Sequence, residues 1–307
     1  MAERVLNKLS YNWEAEAESP LEFRNAIEDY HTYLEGKPVN GFVYLDATNQ
    51  AFQLYAVLTS DKQTAKLCNL ANGETLADAY GEVADTMNTE SNLECFNRKN
   101  CKKAVMTTLY SKADVGETIK EADLTLEYEA EEINELFQHS FSLVAPEAKE
   151  AMEALLKLNN KDIGTYFWTL PDGFKVKYDV KSNHEIKIHG KTRGGINIYF
   201  NQEVKRYAPS EHNRGMSPNV IHSFDGWVLR EIERKFKHFL TTIHDALGVH
   251  YNYADELRIA YQEVMCDLLE NDYLKDVMES ISGTKQESLK KGTLTKDDIM
   301  QSIYFLA

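Results

Sequence analysis

The sequence contains few of the residues that define fibrous, disulfide-rich or disordered proteins. It has only 15 glycines, 6 prolines and 4 cysteines in 307 residues, which excludes the collagen-like and low-complexity classes. The cysteines form no CxxC pair and are too sparse for a disulfide framework or a thiolate zinc site. We therefore expect Cys68, Cys95, Cys101 and Cys266 to be free thiols that fill the core of a protein in a reducing cytoplasm.

Long apolar runs are also missing from the sequence. No stretch approaches the roughly 18 apolar residues of a membrane-spanning helix, and the mean hydropathy is -0.49. The first residues, MAERVLNKLSYNWEAE, lack the basic segment and following apolar segment of a secretion signal. The sequence thus predicts a soluble, cytoplasmic protein without a membrane partner.

The residues that are present can build a large core. The composition is 43% hydrophobic and 11% aromatic, and a compact chain of this length buries about 75% of its unfolded surface. These values predict one or two globular domains. The net charge of -15 argues against a protein that coats nucleic acid.

The charge is distributed unevenly along the chain. Residues 113–153 contain twelve acidic and two basic residues, whereas residues 171–215 contain nine basic and five acidic residues. The second segment could contact a polyanion locally, although ordinary solvated faces give the same pattern. The sequence assigns no role to the acidic segment.

Hydrophobic periodicity predicts both helices and strands. The predicted helices are residues 20–36, 51–61, 74–87, 98–112, 219–239 and 256–278, with further helix over 117–158 interrupted near Pro146. The predicted strands are a run within residues 41–50, two runs flanking residues 244–245, and β-ribbons in the alternating segments FKVKYDV, HEIKIHG and INIYFNQEV. This pattern predicts an α/β (α+β) fold.

Two aspartates follow strand-like runs that are far apart in the sequence. Asp46 follows GFVYL, and Asp245 follows FLTTIH. Burying an isolated carboxylate is costly unless a cation compensates its charge. If the two strands are neighbours, the carboxylates can bind a pair of Mg²⁺ ions about 3.5–4 Å apart, as in phosphoryl transfer. The alternative, that each aspartate caps a turn or the following helix, stays open.

The helix predicted at residues 98–112 carries a second candidate site. Arg98, Lys102, Met106 and Tyr110 recur at intervals of four, so they project from one helix face. Such a face can bind a triphosphate through its cations and a nucleobase through its aromatic ring. An ordinary surface helix with solvated bases and a half-buried tyrosine would show the same spacing.

Several segments together resemble a known family. RKNCKKAVMTTLYSK has the pattern R-x3-K-x7-Y of the nucleotide-binding helix of single-subunit polymerases. YLDATNQAFQLYAVL and TIHDALG resemble the two metal-binding segments of the phage-type and mitochondrial-type DNA-directed RNA polymerases. DAYGEVA, WTLPDGF, SPNVIHSFDG, EAEAESPLEF and the closing IYFLA resemble further stretches of that family in the same order. The resemblance covers nearly the whole chain but only the C-terminal part of a full-length member.

The resemblance implies a polymerase right hand with palm and fingers, a specificity-type β-hairpin, and no thumb or N-terminal domain. It implies residues 1–90 as a connecting helix and the first part of the palm. Residues 91–165 would be the fingers with the nucleotide-binding helix. Residues 166–307 would be the second part of the palm, with the hairpin at 181–214 and the C-terminal helices.

The family's functional residues are also implied at matching positions. Asp46 and Asp245 would bind two Mg²⁺ ions, with the backbone carbonyl of Ala47 as an extra ligand. Arg98 and Lys102 would bind the triphosphate, and Lys102 would protonate the pyrophosphate. The remaining implied site residues are Met106, Gln53, Tyr110 near the nucleotide and template, His222 at the ribose 2′-OH, and His244 as a residue that orients the site, unless it is an ordinary core histidine.

The resemblance further implies nucleotidyl transfer from ribonucleoside triphosphates to an RNA 3′ end on a DNA template. It indicates the C-terminal subunit of a split phage polymerase, active in the cytoplasm of an infected host cell, with a second subunit supplying the missing parts. Ser111 and Ala47 depart from the family, which usually has glycine at these two positions. A related DNA polymerase fragment, or a catalytically silent subunit that binds nucleic acid or a partner, are the alternatives. HDA at residues 244–246, Gln53, WTLPDGF and His222 favour RNA synthesis.

Overall fold

A computed structural model describes residues 17, 19–71, 75–191, 197–207 and 213–306, and it describes the hairpin 181–207 by its backbone. The helices are α1 (Pro20–Leu34), α2 (Gln50–Thr59), α3 (Lys62–Leu67), α4 (Ala79–Ser91), α5 (Arg98–Leu109), α6 (Gly116–Ala122), α7 (Ala130–Val144), α8 (Pro146–Lys157), α9 (Met216–Lys235), α10 (Ala254–Glu270), α11 (Tyr273–Ser282) and α12 (Lys296–Met300). The strands are β1 (Phe42–Leu45), β2 (Thr165–Thr169), β3 (Lys175–Asp179), β4 (Lys181–Lys191), β5 (Asn197–Tyr207), β6 (Thr241–Ile243) and β7 (Ala246–His250). The mixed α/β class is confirmed.

A small antiparallel sheet, in the order β1-β7-β6, brings the two predicted aspartates together. Leu45, the last residue of β1, pairs with Leu247, the second residue of β7. Asp46 therefore lies beside the start of β7. Ile243 pairs with Ala246, which leaves His244 and Asp245 as a two-residue turn between β6 and β7. Asp46 and Asp245 therefore lie at the same edge of one sheet.

Helix α2 forms the centre of the core beside this sheet. All ten of its residues are buried, and it packs against α8, α9 and α10. A helix that is apolar on every side must be enclosed by other elements. Asn49 caps the helix by accepting a hydrogen bond from the Phe52 backbone N–H, at 3.2 Å. The cap, three residues after Asp46, fixes the start of α2.

A second group of helices, α4 to α7, packs together next to the core. Helix α5 begins with a capping box: Asn97 accepts from the Asn100 N–H, and the Asn100 side chain accepts from the Asn97 N–H. Such a box satisfies two backbone donors at the helix start. One side of α5, including Cys101, Ala104 and Val105, is buried, so the opposite side is free to form a site.

The predicted β-ribbons are confirmed as two hairpins. Strands β2 and β3 pair from Thr165 and Asp179 to Thr169 and Lys175. Strands β4 and β5 pair over eleven residues, from Lys181 and Tyr207 to Lys191 and Asn197. Residues 192–196 and 208–212 of the predicted specificity hairpin lie outside the described residues, as do residues 14–16 and 18 of EAEAESPLEF.

Some predicted boundaries were wrong. The single helix expected at residues 256–278 is two helices, because Asn271 is extended and its amide donates back to the Asp267 carbonyl at 2.9 Å. The helix expected from residue 74 begins at Ala79, where Asp78 accepts from the Tyr80 N–H. The interruption predicted near Pro146 is confirmed, because α7 ends at Val144 and Pro146 is the first residue of α8, a position that proline favours.

The remaining expectations concern cysteines and membranes. Cys68, Cys101 and Cys266 are buried free thiols, as predicted, while Cys95 is partly exposed. Among the helices of the described ranges, none is long and apolar enough to cross a bilayer.

Candidate active site

A cavity of about 370 Å³ lies between the sheet edge, the start of α2 and the exposed side of α5. The residues around it come from four separate segments of the chain. They are Asp46 to Ala51, Tyr80, Arg98 with Lys102, Met106, Leu109 and Tyr110, and Asp245. The fold thus brings both candidate sites of the sequence into one cavity.

The two aspartates act on each other electrostatically. Partial burial raises the pKa of the Asp46 carboxyl, and the nearby charge of Asp245 raises it further. Asp46 is exposed and Asp245 half-buried, so these carboxylates are less buried than the sequence argument assumed. Two carboxylates that repel each other favour a shared cation. The two carboxylates can therefore provide part of the oxygen ligand set of a divalent metal ion.

The donor set fits Mg²⁺ bound together with substrate. Within the described ranges, no group of three or more His, Cys, Asp or Glu side chains comes together to hold a metal. Magnesium is commonly bound by one or two carboxylates, with substrate phosphates and water as the other ligands. Asp46 and Asp245 both line the cavity and match that requirement.

The loop after Asp46 is held by the C-terminal segment. Ala47 forms an isolated β-bridge with Leu306, and the accompanying hydrogen bond runs from the Thr48 N–H to the Phe305 carbonyl, at 3.1 Å. That bond does not use the Ala47 carbonyl, the predicted extra ligand. Arg258 donates to the Leu306 carbonyl at 2.6 Å and so holds the C-terminal segment against α10.

Arg98 and Lys102 form the cationic side of the cavity. Arg98 Nε lies 2.8 Å from Asp78 Oδ2, an ion pair in which the arginine side chain is 57% exposed. An arginine held through Nε retains its two terminal amino groups as donors for phosphate. Met106 follows on the same face and is 44% exposed, as the spacing of four predicted.

Tyr80 is a residue of the cavity that the sequence analysis did not select. Its ring centroid lies 5.5 Å from the Arg98 guanidinium carbon and 5.9 Å from Lys102 Nζ. Asn49 Nδ2 donates to its hydroxyl at 3.1 Å, and burial raises the pKa of the phenol. The resemblance of DAYGEVA to the family was the one sequence signal that could have identified Tyr80.

Tyr110 and His222 meet although they come from different helices. Their rings stack with centroids 4.8 Å apart and an interplanar angle of 7°. Burial raises the pKa of the Tyr110 phenol, and the charges of Asp225 and Asp245 add to the shift. The structure therefore places His222 at the Tyr110 end of the cavity.

Ser111, the residue after Tyr110, has a left-handed backbone conformation with φ of 68°. Glycine adopts this conformation without steric cost, whereas serine does not. The conformation gives a physical reason why glycine is usual here in the family that the sequence resembles. The Ser111 carbonyl accepts from Arg214 Nε at 2.7 Å, which holds the turn.

Two expected site residues do not line the cavity. Gln53 is fully buried, and its amide donates to the Phe305 carbonyl at 2.9 Å and accepts from the Tyr261 hydroxyl at 2.6 Å. All of its contacts are in the core, so Gln53 is not carried into the proposed site. His244 is exposed in the turn before Asp245, with φ of 56°, and does not line the cavity.

Asp225 is a further acidic residue that sequence reasoning missed. Gln50 Nε2, at the start of α2, donates to Asp225 Oδ1 at 2.6 Å. Burial raises the pKa of the Asp225 carboxyl, and the charge of Asp245 acts in the same direction. Its position in SPNVIHSFDG, three residues after His222, gave no separate signal.

The chain matches the family model described as DNA-dependent RNA polymerase over residues 2–122 and 115–304. It therefore belongs to the DNA-dependent RNA polymerase family. A probable DNA-directed RNA polymerase of Gelasinospora sp. (strain G114) is 24% identical, covering 78% of this chain and 35% of the relative.

Two further relatives support the same family. T7 RNA polymerase of Escherichia phage T7 is 23% identical, covering 97% of this chain and 44% of the relative. The mitochondrial DNA-directed RNA polymerase 1 of Arabidopsis thaliana is 22% identical, covering 86% of this chain and 31% of the relative. The chain thus spans less than half the length of these three relatives.

Proposed function

We propose that this chain carries the catalytic centre of a DNA-directed RNA polymerase. It would transfer nucleotidyl groups from ribonucleoside triphosphates to an RNA 3′ end on a DNA template, as a magnesium-dependent nucleotidyltransferase in transcription. The observation that carries the proposal is one cavity in which the carboxylates of Asp46 and Asp245 face the cations Arg98 and Lys102. Phosphoryl transfer depends mostly on such positioning and charge stabilisation.

Each residue has a distinct task in this proposal. Asp46 and Asp245, with the Ala47 carbonyl, would hold two Mg²⁺ ions, which when bound neutralise charge on the phosphates. Arg98 would bind the triphosphate through its terminal amino groups. Lys102 would bind it as a point charge and protonate the leaving pyrophosphate.

The other end of the cavity would select the nucleotide. Tyr110 and Met106 would contact the incoming base and the template, and His222 would bind the ribose 2′-OH. An imidazole nitrogen can donate to or accept from that hydroxyl. His244, next to Asp245 in the β6–β7 turn, would orient the metal-binding carboxylate.

The RNA polymerase proposal is preferred over the two alternatives for separate reasons. The family match is to RNA polymerases, which disfavours a DNA polymerase fragment. A silent subunit has no need of opposed carboxylates and cations in one cavity. Primer extension distinguishes an RNA polymerase, a DNA polymerase and a silent subunit.

The proposed partners are the DNA template, the nascent RNA and a second polypeptide. We propose that this polypeptide forms a heterodimer with the chain and supplies a thumb and an N-terminal domain. The palm would comprise residues 1–90 and 166–307, with the β1-β7-β6 sheet, α2, α9 and α10, and the fingers would comprise residues 91–165, with α5 to α8. The β4–β5 hairpin would contact the DNA duplex as a specificity hairpin.

Extension of a labelled RNA primer on a DNA template tests the proposal. The reaction is run with Mg²⁺ and either ribonucleotides or deoxyribonucleotides, using the chain alone and with its co-purifying partner. Extension with ribonucleotides is expected, and a requirement for the partner would support the heterodimer. Extension with deoxyribonucleotides alone would favour a DNA polymerase, and no extension with the partner present would favour the silent subunit.

A further inference from the structure

A hydrogen bond between Gln50 and Asp225 joins the two halves of the candidate active site. Gln50 is the first residue of α2 and lines the cavity four residues after Asp46. Asp225 lies on α9, and the distance from Gln50 Nε2 to Asp225 Oδ1 is 2.6 Å. Gln50 is buried and Asp225 half-buried, so water competes weakly for this bond.

Asp225 and His222 belong to the same side of α9. Residues three apart on a helix are neighbours on its surface, and the His222 ring stacks on Tyr110 at the end of α5. Moving Asp225 relative to Gln50 would therefore move His222 relative to the loop that bears Asp46. The Gln50–Asp225 bond therefore connects the loop of Asp46, which is proposed to bind metal, to the helix of His222, which is proposed to bind the sugar.

The position of Asp225 is electrostatically unfavourable. The carboxylate is partly buried and close enough to Asp245 that the two charges disfavour each other. A stable fold gains nothing from a third acid beside a carboxylate pair, since an apolar or amide side chain could fill the place without the cost of desolvation. The presence of Asp225 is explained if its bond to Gln50 fixes the distance between α9 and the start of α2 that the site needs.

The packing of α2 on α9 does not depend on this bond alone. The Tyr55 hydroxyl and Ser217 Oγ lie 2.9 Å apart in the core and join the same two helices. Ser217 is fully buried and does not line the cavity. The Tyr55–Ser217 bond is thus a matched internal control for a purely structural contact between α2 and α9.

We propose that Gln50 and Asp225 are positioning residues that set the distance between His222 and the metal-binding aspartates, and thereby the preference for a ribose over a deoxyribose. This inference rests on the proposed polymerase function. In this proposal the two residues act through His222 rather than by binding the phosphates or the metal. The ligand class whose recognition they tune is the sugar of a nucleoside triphosphate.

The test uses variants that keep the shapes of both side chains. Gln50→Glu places two carboxylates at the bond, which then repel each other. The double variant Q50E/D225N reverses donor and acceptor, so that the new amide on α9 can donate to the new carboxylate on α2 with almost unchanged volume. Ser217→Ala breaks the control bond between the same helices and leaves Tyr55 able to donate to the Leu109 carbonyl.

Two measurements are made on each variant of the full chain, with its partner if extension requires it. The first is the ratio of kcat/KM for a ribonucleotide to kcat/KM for the matching deoxyribonucleotide in primer extension. The second is the ring-proton NMR signal of His222, assigned by its loss in His222→Phe, which reports stacking on Tyr110.

We expect Gln50→Glu to lower the sugar preference about tenfold, the effect of one misplaced hydrogen bond, and to shift the His222 signal. Q50E/D225N is expected to restore both, whereas Ser217→Ala lowers thermal stability and leaves both unchanged. An unchanged ratio and signal in Gln50→Glu, or equal effects in Ser217→Ala, would overturn the inference.

The result remains distinguishable from failure of the polymerase proposal. If the wild-type chain extends no primer even with its partner, the polymerase proposal fails on its own assay. The His222 signal then decides the positioning role without activity: a shift in Gln50→Glu that Q50E/D225N reverses supports it, and no shift contradicts it.

Discussion

The imidazole of His222 lies parallel to the phenol ring of Tyr110, with 4.8 Å between the ring centroids. One ring belongs to α9 and the other follows the last residue of α5. The stack connects the helix that bears Arg98 and Lys102 to the helix that packs on α2. It makes the sugar end of the proposed site depend on contacts between distant segments of the chain.

His222→Phe separates stacking from hydrogen bonding. Phenylalanine can stack on Tyr110 but has neither ring nitrogen, so the contact to a ribose 2′-OH is lost. We expect the ratio of kcat/KM for ribonucleotides over deoxyribonucleotides to fall about tenfold, the value of one hydrogen bond. His222→Gln retains a donor and an acceptor and should keep part of the preference. An unchanged ratio in His222→Phe would remove His222 from sugar recognition.

Asp46→Asn and Asp245→Asn should abolish extension without harming the fold. Each change removes a proposed metal ligand and also relieves the repulsion that raises the pKa of Asp46. Without metal, the thermal midpoint is therefore expected to stay equal or to rise slightly. Stabilisation by added Mg²⁺, seen as a rise in that midpoint with concentration, should disappear. Asp85→Asn changes an exposed aspartate on α4 and is the control, which should keep both primer extension and stabilisation by Mg²⁺. Substantial extension by Asp46→Asn or Asp245→Asn would contradict the metal assignment.

Lys102→Ala should raise KM for the triphosphate and lower kcat together. Loss of a charge contact and of a general acid predicts a fall in kcat/KM of at least about 100-fold. Lys103→Ala is a matched control, because Lys103 is 69% exposed and lies 4.0 Å from Glu121 rather than in the cavity. Steady-state kinetics on both variants would distinguish them, and equal kcat/KM values would exclude Lys102 from the site.

Ser111→Gly should stabilise the fold. The residue has φ of 68°, and its buried hydroxyl has no hydrogen-bond partner among the described residues. Relief of the left-handed strain and of the unpaired hydroxyl should increase the free energy of unfolding by about 1 kcal/mol, after the greater unfolded-state entropy of glycine is subtracted. Ser111→Ala removes only the hydroxyl and should gain less. Urea unfolding of the three proteins provides the measurement, and a less stable glycine variant would disprove the strain.

Lys290 should make a contribution to stability that rises with pH above about 8. Burial lowers the pKa of this amine from 10.5 to about 8. Below pH 8 the folded and unfolded states both bind the proton, and between the two pKa values only the unfolded state does, so the Lys290 contribution to the free energy of unfolding increases with pH. Its slope is at most about 1.4 kcal/mol per pH unit, the value for a difference of one proton. The Leu268 carbonyl, 3.0 Å from Nζ, favours the charged amine and so narrows the pH interval of this rise.

Lys290→Met removes the titrating group, so the slope of unfolding free energy against pH should be lower in the variant than in the wild type. Unfolding free energies of both proteins are measured between pH 8 and 9.5, below the range in which tyrosines ionise. Burial raises the pKa values of Cys68, Cys101 and Cys266, and their opposite contribution is common to both proteins and cancels in the comparison. The difference between the two slopes is the test, because methionine also leaves carbonyls unpaired and shifts the stability at every pH. Parallel slopes would show that Lys290 does not titrate in this window.

Local patterns in the sequence predicted much of the fold. The alternating run FKVKYDV predicted β3, and the spacing of Arg98, Lys102, Met106 and Tyr110 predicted the exposed side of α5. The break at Asn271 was missed, because the apolar period continues through the extended residue at which the helix ends. Gln53 was misjudged because its position in the first turn of α2 does not reveal that Tyr261 and Phe305 enclose it.

The sequence by itself determined which residues could do chemistry, because carboxylates after strands and cations at helical spacing are local features. Only the tertiary structure decided that Asp46 and Asp245 meet at one sheet edge, since strand pairing depends on contacts between distant segments. It alone showed Tyr80 beside Arg98, His222 against Tyr110, and Asp225 bonded to Gln50. These three contacts join residues from different elements, and no sequence spacing encodes them, because packing of whole helices on the core sets their distances.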